Sequence, residues 1–179
     1  MVHFTVLLGS LLTLAGRNAT QIKNIMVTRP APDWRVKLAD FGICRPLKLR
    51  AYRRDMDGNA SYVAPECDCV AYHLGDRPYL PGNQPDYSPA IDVWALGGMA
   101  YLVRAGEPPF ESIGAVNAYL EDPAANFPTG PLRCASKECV DFIRKAMAGN
   151  EDARPTVAAL LGDSWLASFA GLDGSVRDG

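Results

Sequence analysis

The spacing of apolar and polar residues predicts a mainly helical chain that carries one small β-hairpin. Residues 25–27 read as a short apolar strand, residues 34–38 alternate as a returning strand, and two prolines in residues 29–33 favour a turn between them. Apolar residues recur nearly all round residues 90–103, which is typical of a buried central helix. In residues 137–147 they follow helical periodicity and indicate a further packed helix.

Shorter elements are predicted around these helices. The pattern predicts a short helix at residues 113–120 and the last helical turns at residues 157–161 and 165–166, and Ser88 followed by a proline is a typical helix start. Three prolines and a glycine make residues 76–85 a loop, and residues 126–131 are a second predicted loop.

Composition narrows the class of protein. The chain has 179 residues, 48% of them hydrophobic, which is enough for one domain with a sizeable core. A formal net charge of −2 gives no support for nucleic-acid binding or for a membrane-surface role. The apolar run at residues 4–15 is too short to span a membrane. The five cysteines are an odd number and too sparse for a small disulfide scaffold, which favours a reducing compartment.

Thiolate and imidazole groups are the usual ligands of zinc. The candidate zinc ligands in this sequence are Cys67 and Cys69, with His73 nearby, and Cys134 with Cys139. The one-residue gap between Cys67 and Cys69 is tighter than the spacing in common structural zinc sites. Free cysteine also packs well as a small apolar residue. We therefore expect ordinary core or surface cysteines here rather than a metal centre.

Several short motifs occur along the chain in a fixed order. Residues 37–42 read Lys-Leu-Ala-Asp-Phe-Gly, and residues 58–66 read Gly-Asn-Ala-Ser-Tyr-Val-Ala-Pro-Glu. Residues 87–97 read Tyr-Ser-Pro-Ala-Ile-Asp-Val-Trp-Ala-Leu-Gly, and they are followed by Pro-Pro-Phe at residues 108–110 and Asp-Ala-Arg-Pro-Thr at residues 152–156. In this order the motifs resemble those of the large C-terminal lobe of a protein kinase.

The resemblance implies a fold and an activity. Residues 22–170 would form a protein kinase-like C-terminal lobe, mainly α-helical with one β-hairpin, between an apolar segment at residues 1–21 and a flexible tail at residues 171–179. The implied activity is transfer of the ATP γ-phosphoryl group to proteins. At Gly58, Tyr62 and Leu96 the sequence resembles Ser/Thr kinases more than tyrosine kinases, so Ser or Thr would be the acceptor.

The same resemblance implies a cofactor site. Asn24 and Asp40 would hold Mg²⁺ against the phosphates of ATP, because the hairpin presents both residues and their amide and carboxylate oxygens are hard ligands. Phe41 and Gly42, which follow Asp40, would have structural roles in the motif.

Parts of the kinase machinery have no counterpart in this sequence. Residues 1–32 contain no Asp or Glu, so the general base that accepts the substrate proton is absent there and no catalytic residue is assigned. Gly9 and Gly16 are the only glycines before Asp40, and they do not form a phosphate-covering loop. We expect the nucleotide-covering lobe to be missing and ATP binding to be weak or absent.

Three further residues are expected to have structural roles. By resemblance, Glu66 pairs with Arg154, which lies 88 positions further along. That separation excludes a local helical pairing, so the contact requires a folded lobe. Asp92 is a charged residue in the central helix and needs partners there. The resemblance implies that it holds the backbone of the catalytic loop, the segment that would end at Asn24.

Two functions stay open. The chain is either a Ser/Thr kinase family member that is truncated and inactive as written, or a degenerate kinase (pseudokinase) that acts as a protein-binding or scaffold module. The second would use the surface around the activation segment, residues 40–66, and the helix at residues 113–120. A protein substrate or protein partner is expected in either case. Apolar surface near Met26, Leu38 and Phe41 is expected to favour self-association.

The status of residues 1–21 also stays open. A helix buried in the lobe, a translated non-native start and a secretory signal are the three interpretations. His3 is the only basic residue before the apolar run, so the positively charged start of a typical signal peptide is lacking. Since kinase lobes fold in the cytosol or nucleus, a cytoplasmic or nuclear location is expected.

Overall fold

The computed structural model describes residues 25–29, 35–38, 62–66 and 88–170. The strands are β1 (Ile25–Arg29) and β2 (Arg35–Leu38), and the helices are α1 (Ala90–Ala105), α2 (Ile113–Glu121), α3 (Pro123–Asn126), α4 (Lys137–Ala146), α5 (Val157–Leu161) and α6 (Ser164–Ala170). Two 3₁₀ turns span Gly130–Leu132 and Glu151–Ala153. The predicted fold class, mainly α with one small β-hairpin, is confirmed. The predicted end segments, residues 1–21 and 171–179, lie outside the described residues.

Strands β1 and β2 form the predicted antiparallel hairpin. Its register pairs Ile25 with Leu38 and Met26 with Lys37, and it becomes irregular after Val27. The side chain of Ile25 is partly buried against the core, whereas Met26 and Val27 are 56% and 54% exposed. Part of the expected apolar surface is therefore present. The Leu38 side chain and Phe41 lie outside what the structure describes.

Helix α1 is the buried centre of the lobe, as the sequence predicted. Every residue from Ile91 to Tyr101 is buried, so this part of the helix is covered on all sides. It ends at Gly106, whose φ of 83° is left-handed and suits glycine, and the Gly106 N–H donates to the Leu102 carbonyl at 2.8 Å. The following Pro-Pro-Phe motif places Phe110 in the core.

Helix α4 packs against α1 at very short range. A Cβ atom on Gly97 would lie 2.5 Å from Met147 Cγ and 2.9 Å from Ala146 Cβ. The N-terminus of α4 is capped by Ser136, whose Oγ accepts the Cys139 N–H at 3.3 Å. Absence of a side chain at position 97 therefore lets the two backbones approach.

A group of aromatic side chains fills the space between α1 and α2. The ring centroids of Phe110 and Tyr119 are 5.2 Å apart, and those of Tyr119 and Phe127 are 5.7 Å apart. The buried hydroxyls have acceptors: Tyr119 donates to the Met147 carbonyl and Tyr101 to the Pro128 carbonyl, each at 2.8 Å. Burial, with a smaller effect from the charge of Glu107, raises the pKa of Tyr101 to about 12.

Two short elements between α2 and α4 were not predicted. The pattern indicated a loop at residues 126–131, but α3 reaches Asn126 and a 3₁₀ turn begins at Gly130. Helix α3 forms because Asp122 Oδ1 accepts the N–H groups of Ala124 and Ala125, at 3.1 and 3.0 Å, and a proline occupies its first turn.

Two of the five cysteines, Cys134 and Cys139, lie among the described residues. Cys139 is buried in the core, where desolvation raises its thiol pKa to about 11, and Cys134 is exposed. No cluster of three His, Cys, Asp or Glu side chains suited to a metal occurs among the described residues. Cys67, Cys69 and His73 lie outside them. None of the described helices is long and apolar enough to cross a membrane.

Replacing Gly97 by alanine should destabilise the lobe by about 1–3 kcal/mol, because the added methyl group overpacks the contact between α1 and α4. Chemical denaturation measures the change in the free energy of unfolding. Gly114→Ala in α2 is the control, since a methyl group added there would have Ser112 Oγ as its nearest neighbour, at 3.7 Å. Equal stability of the two variants would contradict the close approach of the helices.

Candidate functional site

A buried ion pair joins the end of the activation segment to the helical lobe. Arg154 Nη1 donates to Glu66 Oε1 at 2.6 Å, and Nη2 donates to Glu66 Oε2 at 2.8 Å. The Arg154 side chain is 0% exposed and the Glu66 side chain 21% exposed. This is a bidentate contact, which a planar guanidinium can make with a carboxylate and a lysine ammonium cannot. The contact expected from the sequence is present.

The rest of the Arg154 guanidinium is also satisfied. Nε donates to the Ala148 carbonyl at 2.8 Å, Nη1 to the Ala90 carbonyl at 3.0 Å, and Nη2 to the Gly149 carbonyl at 3.4 Å. All five N–H donors of the group therefore have an acceptor. The guanidinium carbon also lies 5.1 Å from the Trp94 ring centroid, within range of a cation–π contact.

The residues just before Glu66 are buried in the lobe. Tyr62 and Val63 are 9% and 8% exposed, and Ala64 is fully covered. Burial raises the pKa of the Tyr62 hydroxyl. Apolar packing and the ion pair thus hold residues 62–66 in place together.

Asp92 lies in the first turn of α1 and is 6% exposed. A carboxylate is favoured there by the partial positive charge of the helix N-terminus. The buried position agrees with the sequence. Its expected partner, the catalytic loop, lies outside the described residues, so the role of Asp92 in holding that loop stays a prediction.

The expected cofactor residues Asn24 and Asp40 also lie outside the described residues, as do Phe41 and Gly42, which were expected to have structural roles. The hairpin register nevertheless pairs Ile25, which follows Asn24, with Leu38. An amide and a carboxylate oxygen are a donor set that fits Mg²⁺. The assignment of Asn24 and Asp40 to Mg²⁺ and ATP stays a prediction.

One contact beside this pair was not expected from the sequence. The Ser88 hydroxyl donates to Glu151 Oε2 at 3.1 Å, which ties the start of α1 to the 3₁₀ turn that leads to Arg154. Ser88 was predicted only as a helix start, and nothing in the sequence distinguishes Glu151 from the other acids. The role of Glu151 can be seen only in the folded structure, which brings together two residues that are 63 positions apart in sequence.

Comparison with known proteins identifies the lobe. A family model described as protein kinase domain matches residues 21–166. Serine/threonine-protein kinase D3 of Mus musculus is 27% identical over 147 residues, which cover 82% of this chain and 15% of that protein. Serine/threonine-protein kinase 17A of Oryctolagus cuniculus is 27% identical over 157 residues, which cover 87% of this chain and 36% of that protein.

A solved structure shows the same fold. The autoinhibited serine kinase domain of the giant muscle protein titin superposes with a TM-score of 0.67 at 23% identity, over 92% of this chain and 49% of that one. The chain therefore matches about half of that domain structure, and it spans a minor part of the two curated relatives.

Replacing Arg154 by alanine should lower the free energy of unfolding by about 3–5 kcal/mol, because the Glu66 carboxylate and three carbonyls lose their donor in a buried site. Arg154→Lys should recover only part of this, since an ammonium cannot make the bidentate contact. Urea denaturation measures both.

Lys137→Ala serves as the control because it removes an ion pair with Asp141 at the surface, where the Lys137 side chain is 83% exposed. Little change is expected from it. A similarly small effect of Arg154→Ala would show that the buried pair does not stabilise the lobe.

Proposed function

This chain belongs to the protein kinase family, and from that premise we propose that its helical lobe is the protein-binding half of a serine/threonine kinase. The curated relatives carry serine/threonine kinase names, and the chain spans between 15% and 36% of the two described above. Transfer of the ATP γ-phosphoryl group to Ser or Thr is therefore proposed for the kinase as a whole.

The observation that supports this proposal is the Glu66–Arg154 pair. A surface that binds a peptide must be held in a fixed position by the residues beneath it. Arg154 supplies such support at the end of the activation segment, because it fixes Glu66 while the neighbouring Val63 and Ala64 pack into the core.

For the 179-residue polypeptide itself we propose no phosphoryl transfer. Residues 1–32 contain no Asp or Glu, so no carboxylate there can accept the substrate proton. Asn24 and Asp40 would contribute oxygen ligands to Mg²⁺ when ATP is bound. Positioning and electrostatics supply most of the catalysis in this reaction. Two oxygen ligands position the nucleotide only loosely, so we expect its affinity for the polypeptide to be weak.

The alternative proposal is a degenerate kinase that acts as a protein-binding or scaffold module. It is favoured by the combination of an intact Glu66–Arg154 pair with the absence of a base in residues 1–32. Such a module keeps the supported activation segment and α2 as contact surfaces and needs no nucleotide.

The purified polypeptide should transfer no phosphate from ATP·Mg²⁺ to a generic Ser/Thr peptide, because the general base is missing. Radiolabel transfer is the measurement, with an intact serine/threonine kinase as the positive control and Asp40→Ala as the matched variant. Peptide phosphorylation that disappears in Asp40→Ala would contradict the proposal. A thermal shift with millimolar ATP·Mg²⁺ should correspond to less than about 1 kcal/mol of stabilisation.

We also propose that the isolated polypeptide self-associates through its hairpin, where Met26 and Val27 expose apolar side chains. Sedimentation velocity at tens of micromolar should show oligomers, and Met26→Lys together with Val27→Thr should shift them towards monomer. Val103→Thr is the control, since Val103 is similarly exposed, at 47%, but lies on α1. A monodisperse unmutated monomer would contradict the proposal.

A further inference from the structure

Glu151 occupies a position that the kinase resemblance does not explain. It opens the 3₁₀ turn that precedes Arg154, and it is partly buried. Its carboxylate accepts the Ser88 hydroxyl at 3.1 Å, although the two residues are 63 positions apart. Local structure alone does not explain a hydrogen bond between two segments so far apart in sequence.

The contact closes a ring of hydrogen bonds. Ser88 Oγ also accepts the Ala90 N–H at 3.3 Å, and the Ala90 carbonyl accepts Arg154 Nη1 at 3.0 Å. The Arg154 N–H in turn donates to the Glu151 carbonyl at 3.2 Å. The ring therefore runs from the Glu151 side chain through the start of α1 and the Arg154 guanidinium back to the Glu151 backbone.

One nitrogen of Arg154 belongs both to this ring and to the ion pair. Nη1 donates to the Ala90 carbonyl and to Glu66 Oε1. The position of the Ala90 carbonyl thus helps to set the plane of the guanidinium, and that plane decides whether both Glu66 oxygens are reached.

We infer that Glu151 is a positioning residue for residues 62–66: by holding Ser88 it fixes the Ala90 carbonyl, which aligns Arg154 with Glu66. Glu66 and Ser88 flank residues 67–87, and the 3₁₀ turn and Arg154 hold both flanks. The inference rests on the proposed function only where residues 62–66 are taken as the support of a protein-binding surface.

The test uses hydrogen exchange of the Arg154 side-chain N–H groups, followed by NMR on the full chain. The Glu151 carboxylate bonds Ser88, whereas the carboxylate paired with this guanidinium is that of Glu66, so an effect there reports positioning. Glu151→Ala should speed this exchange about tenfold or more, as expected for loss of one partly buried hydrogen bond to a charged group. The backbone amides of α4 should keep their exchange rates.

Conservative variants separate positioning from loss of charge. Glu151→Gln keeps an acceptor oxygen and should exchange within about twofold of the unmutated chain. Asp152→Ala removes the neighbouring exposed charge on the same turn and should also change little. Ser88→Ala should reproduce Glu151→Ala, and the double variant should add nothing, because both remove the same bond.

Three results would overturn the role of Glu151: Arg154 exchange that is unchanged in Glu151→Ala, equally fast exchange in Asp152→Ala, or equal acceleration of the α4 amides. If Glu151→Ala does not fold, Ser88→Ala tests the same bond from its other side. Phosphoryl transfer by the polypeptide would contradict its proposed inactivity and leave the exchange result unaffected, so the two failures are distinguishable.

Discussion

The lobe depends on burying one guanidinium group. Removing a charged group from water is unfavourable unless its charge and every donor are matched inside the protein. Arg154 meets this condition only when Glu66, Ala90 and the carbonyls of Ala148 and Gly149 converge on it. Those groups come from three separate parts of the chain. The charge therefore selects the arrangement in which the activation segment, the start of α1 and the turn after α4 meet.

Apolar packing supplies the frame within which this convergence occurs. Helix α1 is covered on every side from Ile91 to Tyr101, and it reaches α4 closely because position 97 carries no side chain. Trp94 connects the two kinds of interaction, since its ring lies under the Arg154 guanidinium and stacks with Phe110 at a centroid distance of 6.3 Å. The polar centre and the aromatic core are thus adjoining parts of one structure.

Much of the fold could be predicted from local pattern and motif order. The hairpin, the buried α1 and the helix at Lys137–Ala146 follow from periodicity, and the Glu66–Arg154 contact follows from the family pattern. The last two helices agree with the helical turns predicted at Val157–Leu161 and at residues 165–166, and Asp163 caps the second helix by accepting the Trp165 N–H at 2.9 Å. The Ser88–Glu151 bond was beyond prediction, since it depends on tertiary geometry that no local pattern encodes. The roles of Asn24 and Asp40 remain predictions.

The sequence separation of Glu66 from Arg154 also determines when their ion pair can form during protein synthesis. A chain made from its N-terminus presents the glutamate 88 residues before the arginine. At the usual pace of protein synthesis this leaves the carboxylate without its partner for about 4–18 seconds. During that interval the activation segment cannot dock by this contact, so the nascent chain exposes Val63 and Ala64, which the finished lobe buries.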